Sequence, residues 1–139
     1  MDPDLSRLDA FLDDGGYDGY LVHADSADST QYYLSGFDAP DPFVTLYDGE
    51  VHLLFHRSLE YGRAKREARA ATVERGVDYN YPEYAEEYDP HEAHYRVVAD
   101  FLAAYDVDVV ATPTRFPLHV ADGLRDLGVR VSADRADVV

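Results

Sequence analysis

An α/β domain, with a mixed sheet of about six strands and helices on both faces, is the fold class this sequence predicts. Three observations predict it. Short apolar runs of strand length alternate with segments whose apolar residues recur at helical spacing. Two of the runs are joined by Asp48-Gly49, a two-residue hairpin signal, so one antiparallel turn interrupts a chain of crossover connections. A chain of 139 residues, 46% of them hydrophobic, suits a single domain with its own core.

In order along the chain, Leu5, Leu8, Phe11 and Leu12 make one face of a helix that Gly15-Gly16 ends. Tyr20 to His23 reads as a short buried strand. Asp25 to Leu34 reads as a short helix capped by Asp25 or Ser26 and stopped at Gly36. Phe43 to Tyr47 and Glu50 to Phe55 are the hairpin strands. A helix from Ser58 offers Leu59, Tyr61, Ala64 and Ala68 for burial, and Ala71 to Glu74 forms a strand after it.

The tyrosine-rich "VDYNYPEYAEEYDP" reads as a connection to the longest helix, about Pro90 to Tyr105, with its stripe Val97, Val98, Phe101, Leu102 and Tyr105. Val107 to Ala111 is a strand. Pro117 opens a helix carrying Val120, Leu124 and Leu127, Gly128 closes it, and "VRVS" is a last strand. The acidic "ADRADVV" reads as a linker. Internal repeats are absent.

Composition narrows the partners. Twenty-eight acidic against twelve basic residues leave a net charge of −16, so nucleic acid and anionic membranes would repel the chain. Of the basic residues only Lys65 is lysine. An Asp-rich, Lys-poor surface resembles proteins of salt-loving organisms, and a halophilic archaeal source is expected. No apolar run approaches the roughly 18 residues of a membrane helix, and the acidic start lacks the order of a signal peptide, so a cytoplasmic protein is expected. With no cysteine, disulfides and thiolate chemistry are excluded.

The candidate chemistry is thin. His91-Glu92-Ala93-His94 places its histidines at i and i+3, whereas a zinc helix needs i and i+4. His52 and His56 share a strand face but lie about 13 Å apart in an extended chain, too far to share a metal. His56 and Arg57 follow a strand's C-terminal end, where α/β sheets favour ligands, and a solvated loop is the plainer reading. No serine sits in a G-x-S-x-G elbow, and no glycine-rich phosphate loop occurs. Tyr79, Tyr81, Tyr84 and Tyr88 fit either an interface or a roof over the chain's own core. From its residues alone the chain is an α/β domain without an identifiable active centre.

The ordered set of elements resembles the N-terminal domain of the creatinase/prolidase family, the metallopeptidases that include Xaa-Pro dipeptidases and Xaa-Pro aminopeptidases. The most specific stretch is "TQYYLSGFDAPDPFVTLYDGEVHLLF", in which a short helix ends Tyr-Leu-Ser-Gly-Phe before a loop and a hairpin. Gln31 stands where the family commonly has Asn. "LEYGRAKREA" is similar to the family's helix after the hairpin, and "YDGYLV" to its first strand; the likeness spans essentially all 139 residues.

The resemblance implies a ribonuclease H-like fold with a structural role, shaping a substrate cleft and a dimer interface. It implies a partner domain in the same protein, starting just after "ADRADVV", where Asp, Asp, His, Glu and Glu hold two divalent metals of the Mn or Co type. No catalytic, cofactor or metal residue is expected in residues 1–139 themselves. A loop in the position of Asp38 to Phe43 reaches toward an active site in related enzymes, often the partner subunit's. That makes Asp38, Asp41 and Phe43 candidate contacts, with His56, Arg57 and Tyr61 weaker ones. Pro40 and Pro42 would stiffen the loop. The other reading is a stand-alone interaction or ligand-binding domain of the same fold.

Overall fold

Helix stops and strand-length apolar runs set the order of elements. The computed structural model describes residues 3–56 and 60–139. Its elements are α1 (Ser6–Gly15), β1 (Gly19–Ala24), α2 (Ser29–Ser35), β2 (Phe43–Tyr47), β3 (Val51–Phe55), α3 (Tyr61–Glu67), β4 (Thr72–Arg75), α4 (Tyr81–Glu87), α5 (Pro90–Ala104), β5 (Val109–Pro113), α6 (Leu118–Asp126) and β6 (Arg130–Asp134). A 3-10 turn, Gly76–Tyr79, lies between β4 and α4. The expected start of α3 at Ser58 and Leu59, and the candidate Arg57, lie outside the described residues.

The strands form one six-stranded sheet in the order β4-β3-β2-β1-β5-β6. β2 runs antiparallel to both neighbours, while β1–β5, β5–β6 and β3–β4 are parallel. Five strands therefore point one way and β2 alone points back. The mixed sheet and its helices on both faces are as the sequence predicts.

Strand alternation divides the core between the faces. Leu21, Val44, Leu46, Leu54 and Val110 meet Val97, Val98, Phe101 and Leu102 of α5 and Val120 and Leu124 of α6. On the other face Tyr20, Val22 and Tyr47 meet Leu8 and Leu12 of α1 and Leu34 of α2. Beside them Phe37, Phe43, Leu53, Phe55 and Ala64 close a third cluster under α3.

Several boundaries differ from the sequence reading, each for a local reason. α2 starts at Ser29 and its cap is Asp28, which accepts from the Gln31 N–H at 3.0 Å. Asp25 instead turns the preceding loop by accepting the Ala27 N–H at 2.9 Å, and Ser26 is held by Ala39. The hairpin loop has three residues, Asp48 to Glu50, between the paired Tyr47 and Val51. β5 begins two residues later than expected because Asp106, at φ 57°, turns the chain and Asp18 Oδ2 binds the N–H groups of Asp108 and Val109.

β6 also runs later than "VRVS", taking in Ala133 and Asp134. The supposed linker is therefore fastened. Asp134, 1% exposed, accepts the N–H groups of Ala136, Asp137 and Val138 and the hydroxyl of Tyr20. Val138 and Val139 pack against the α1–α2 cluster.

The tyrosine-rich connection contains α4, which carries no fully buried residue of its own. Tyr79, Tyr81 and Tyr84 pack on the α5 cluster, which makes them a roof over the core. Tyr79 and Tyr105 both donate to Glu74, at 2.7 and 2.6 Å.

Candidate functional site

The single direction of β1, β3, β4, β5 and β6 puts all their C-terminal ends on one edge of the sheet. From β1 the chain crosses to α2 on one face, and from the adjacent β5 to α6 on the other. Such a divergence between neighbouring strands is the position at which α/β sheets place ligands.

Three groups of residues meet along this edge. The first is histidine-rich. His23, next to last in β1, lies on the α5 side, and its Nε2 is 2.9 Å from Nε2 of His94 in the opening turns of α5. The rings meet edge to face at 5.1 Å. His56, just past β3, stands edge-on to His94 at 5.8 Å and to Tyr81 at 4.5 Å. Phe116 covers His23 from the loop after β5, with ring centroids 6.3 Å apart. Farther out, His91 and His119 are 5.2 Å apart, and His119 Nδ1 bonds the Tyr95 hydroxyl at 2.7 Å.

Burial pushes the His23 imidazole below its ordinary pKa. Burial first, and the neighbouring His23 second, push His94 down to about 3. Both rings are neutral at pH 7.

The second group links the segments that follow β1 and β5. Arg115 donates from Nε and Nη2 to the Asp28 carboxylate, and its Nη2 lies 2.6 Å from Thr30 Oγ1. Hydrogen bonding to Arg115 holds the Asp28 carboxyl below the usual range. α2 is thus tied to the β5–α6 loop through a residue that also caps it.

The third is the loop between α2 and β2. Gln31, wholly buried, fixes where it meets β2 and ties that point to the end of β1. Its Nε2 donates to Ala24 O at 2.8 Å and Phe43 O at 2.7 Å, and its Oε1 accepts from Thr45 Oγ1 at 2.5 Å. Ser26 Oγ lies 2.7 Å from Asp38 Oδ1 and accepts the Ala39 N–H at 2.9 Å, while Arg63 Nη2 donates to Asp38 O at 2.6 Å. Arg63 also covers the Phe37 ring at 4.3 Å. The exposed tip is Pro40-Asp41-Pro42.

The residues singled out in the sequence separate accordingly. Asp38 and Asp41 are exposed at the edge, and His56 joins them there. Phe43 does not: it is 2% exposed and stacks on Phe55 at 5.0 Å, inside the aromatic cluster. Tyr61 is half-buried under the Arg75 guanidinium at 4.6 Å. His52 and His56 do share the α5 face, but His52 is buried, stacked on Tyr105 and bonded to Thr72 and Asp48. Local pattern does not single out His23, Asp28 or Arg115, although the strand-end rule that marks His56 applies equally to His23. In the sequence His94 stands beside His91, whereas its hydrogen-bond partner lies 71 residues away.

Among the described residues no group of three or more His, Cys, Asp or Glu is arranged to hold a metal. A two-metal centre bridged by carboxylates finds no fit in them. Nor is any described helix long and apolar enough to cross a membrane.

Fold and topology together define a class: an α/β domain built on one mixed six-stranded sheet. The chain belongs to the Creatinase/Prolidase N-terminal domain family, which matches residues 5–128. Its fold is similar to that of prolidase from Pyrococcus furiosus, with a TM-score of 0.65 and 16% identity over 97% of this chain and 36% of that one. An Xaa-Pro aminopeptidase from Streptococcus thermophilus gives 0.62 and 17%, over 96% of this chain and 91% of that one. An Xaa-Pro dipeptidase from Bacillus anthracis gives 0.65 and 11%, over 94% and 32%. The chain thus spans about a third of the length of the Pyrococcus and Bacillus proteins. No curated protein sequence matches it.

Proposed function

We propose that this chain is the non-catalytic N-terminal domain of a cytoplasmic Xaa-Pro dipeptidase or aminopeptidase, forming walls of the substrate cleft and part of a dimer interface. The observation that carries the reading is the family match over residues 5–128. The prolidase whose fold covers nearly all of this chain is almost three times longer, which leaves room for a catalytic domain. In this reading the two divalent metals belong to that second domain, and this chain supplies none of their ligands. The exposed Asp38 and Asp41, on a loop held by Ser26 and Arg63 and stiffened by two prolines, are its contribution to a cleft. The acidic surface extends the proposal to a high-salt setting, on charge alone.

Two measurements test it. The purified chain, incubated with Mn²⁺ or Co²⁺ and an Xaa-Pro dipeptide, should release no proline above background, and turnover abolished by a chelator would overturn the reading. The coding sequence beyond Val139 should continue into the Asp, Asp, His, Glu, Glu metal set. A stop codon there would favour the stand-alone binding domain.

A further inference from the structure

We propose that the hydrogen bond between His23 and His94 is an acid-released latch, which fastens the opening turns of α5 to the sheet at neutral pH and frees them in mild acid. The latch belongs to this chain's own fold and stands independently of the peptidase reading.

The geometry is that of one shared proton. The two Nε2 atoms meet end to end at 2.9 Å, with the rings edge to face and their centroids 5.1 Å apart. His23 also has a hydrogen bond with its own main chain that favours a protonated ring nitrogen. Since Nε2 faces His94, that nitrogen is Nδ1, so His94 donates its Nε2–H to the Nε2 lone pair of His23. A proton added to that lone pair sets two N–H donors against each other. With both rings protonated the bond is lost and two like charges face each other.

The surroundings do little to hold that charge. Five of the chain's six histidines gather at this edge, His23, His56, His91, His94 and His119. His56, His91 and His119 act on His94 as like charges, and His119 acts so on His23. Phe116 covers His23, Tyr81 stands on His56, and Tyr95 is bonded to His119. The carboxylates at the start of α5 are engaged within that helix, Asp89 with the Glu92 N–H and Glu92 with Arg96. Arg115, beside Phe116, is turned to Asp28. Burial adds to the effect, so both rings take up protons less readily than an exposed imidazole.

The segment that the latch holds has few other anchors. Ahead of Val97, α5 fully buries only Ala93, and α4 before it fully buries nothing. Val97, Val98, Phe101 and Leu102 keep the rest of α5 on the sheet. Loss of the bond can therefore free the opening turns without unfolding the core. Freed rings take up protons near the ordinary histidine pKa of about 6.5, and latched rings only below it. Above about pH 6.5 the latch is thus indifferent to pH. Below it, each pH unit favours the open form by up to about tenfold for every extra proton that form binds.

Hydrogen exchange of the unmodified chain at about 1 M KCl makes the measurement. The net charge of −16 acts on latched and freed rings alike, and this salt screens it to about 3 Å. Between about pH 7.5 and about pH 5.5 carboxylates stay ionised, which leaves the histidines as the groups that titrate. Over that window the opening equilibrium of amides 93–96, corrected for intrinsic exchange, should rise by about 10–100-fold. The amides of β5 should not follow. The double variant His23→Gln/His94→Gln, whose amides hydrogen-bond without titrating, should lose this response, and His91→Asn/His119→Asn should keep most of it. Because the glutamine variant could disturb the fold, ring ¹³C NMR of the unmodified chain supplies a second reading. Both rings should stay neutral at about pH 6, where a free imidazole is mostly charged. Either ring charged at that pH, exchange that ignores pH, equal acceleration in β5, or a response that survives in the glutamine variant would overturn the proposal.

Discussion

Gly36 is where the backbone most directly demands its residue. It ends α2 at φ 62°, and its N–H closes on the Tyr32 carbonyl. A Cβ built there would stand 2.7 Å from Arg69 Cζ, whose guanidinium donates to Tyr33 O at 2.9 Å. Backbone strain and this contact act in the same direction. Gly36→Ala should destabilise the domain by about 1 kcal/mol or more, read as a lower midpoint in a thermal or urea melt. An unchanged midpoint would mean that the turn relaxes without cost. Gln31 contrasts with it: the position calls for a side chain that donates twice and accepts once between three strand and loop groups. The Gln31 amide does this from α2, so the carbonyls of Ala24 and Phe43 and the Thr45 hydroxyl all have a partner.

At the scale of elements, the segment after β6 behaves as part of the fold. Its main-chain N–H groups at Ala136, Asp137 and Val138 all end on Asp134, itself buried against the Tyr20 hydroxyl. Asp134→Ala removes the acceptor and leaves those donors to compete for water in a half-buried turn. A loss of about 1–3 kcal/mol is expected, the usual cost of stranding buried polar groups. Hydrogen exchange should accelerate at residues 136–139 while the amides of β5 stay protected. Equal acceleration in β5 would show that the tail is not a separate unit. α4 makes the complementary case, since its Tyr81 and Tyr84 are ordered by the α5 cluster beneath them, and Tyr84 donates to Asp100 at 2.6 Å.

The whole molecule carries its charge as one system. The ion pairs among the described residues are mostly between near neighbours on a helix, such as Arg63 with Glu60 and Glu67 and Arg96 with Glu92. They leave the net −16 as it is, since every basic residue is already counted in it, and exposed pairs of this kind contribute at most about 1 kcal/mol each. Folding brings the uncompensated carboxylates closer together than in the open chain. At about 1 M salt the screening length falls to about 3 Å, so stability should rise steeply from low salt to molar salt. Sodium and potassium chloride should act alike. Thermal melts from about 0.05 to about 3 M KCl, spanning screening lengths on either side of the spacing between surface charges, make the measurement. A flat midpoint would remove the support for a high-salt setting.

What could be read without coordinates was the part governed by local rules. The apolar period of α5, the glycine stops at Gly16, Gly36 and Gly128, and the hairpin after Tyr47 are properties of consecutive residues, so fold class and the order of strands and helices followed from them. The loop from Asp38 to Pro42 was legible in the same way, through its prolines. Tertiary structure decided whatever depended on residues far apart in the chain. It paired His94 with His23 instead of His91, buried Phe43 against Phe55, turned the tyrosines inward, and recruited Asp134 as an anchor. A polar side chain's partner is set by which strand ends the sheet order places side by side, and that order arises from packing two helical layers on one twisted sheet. No local pattern encodes it.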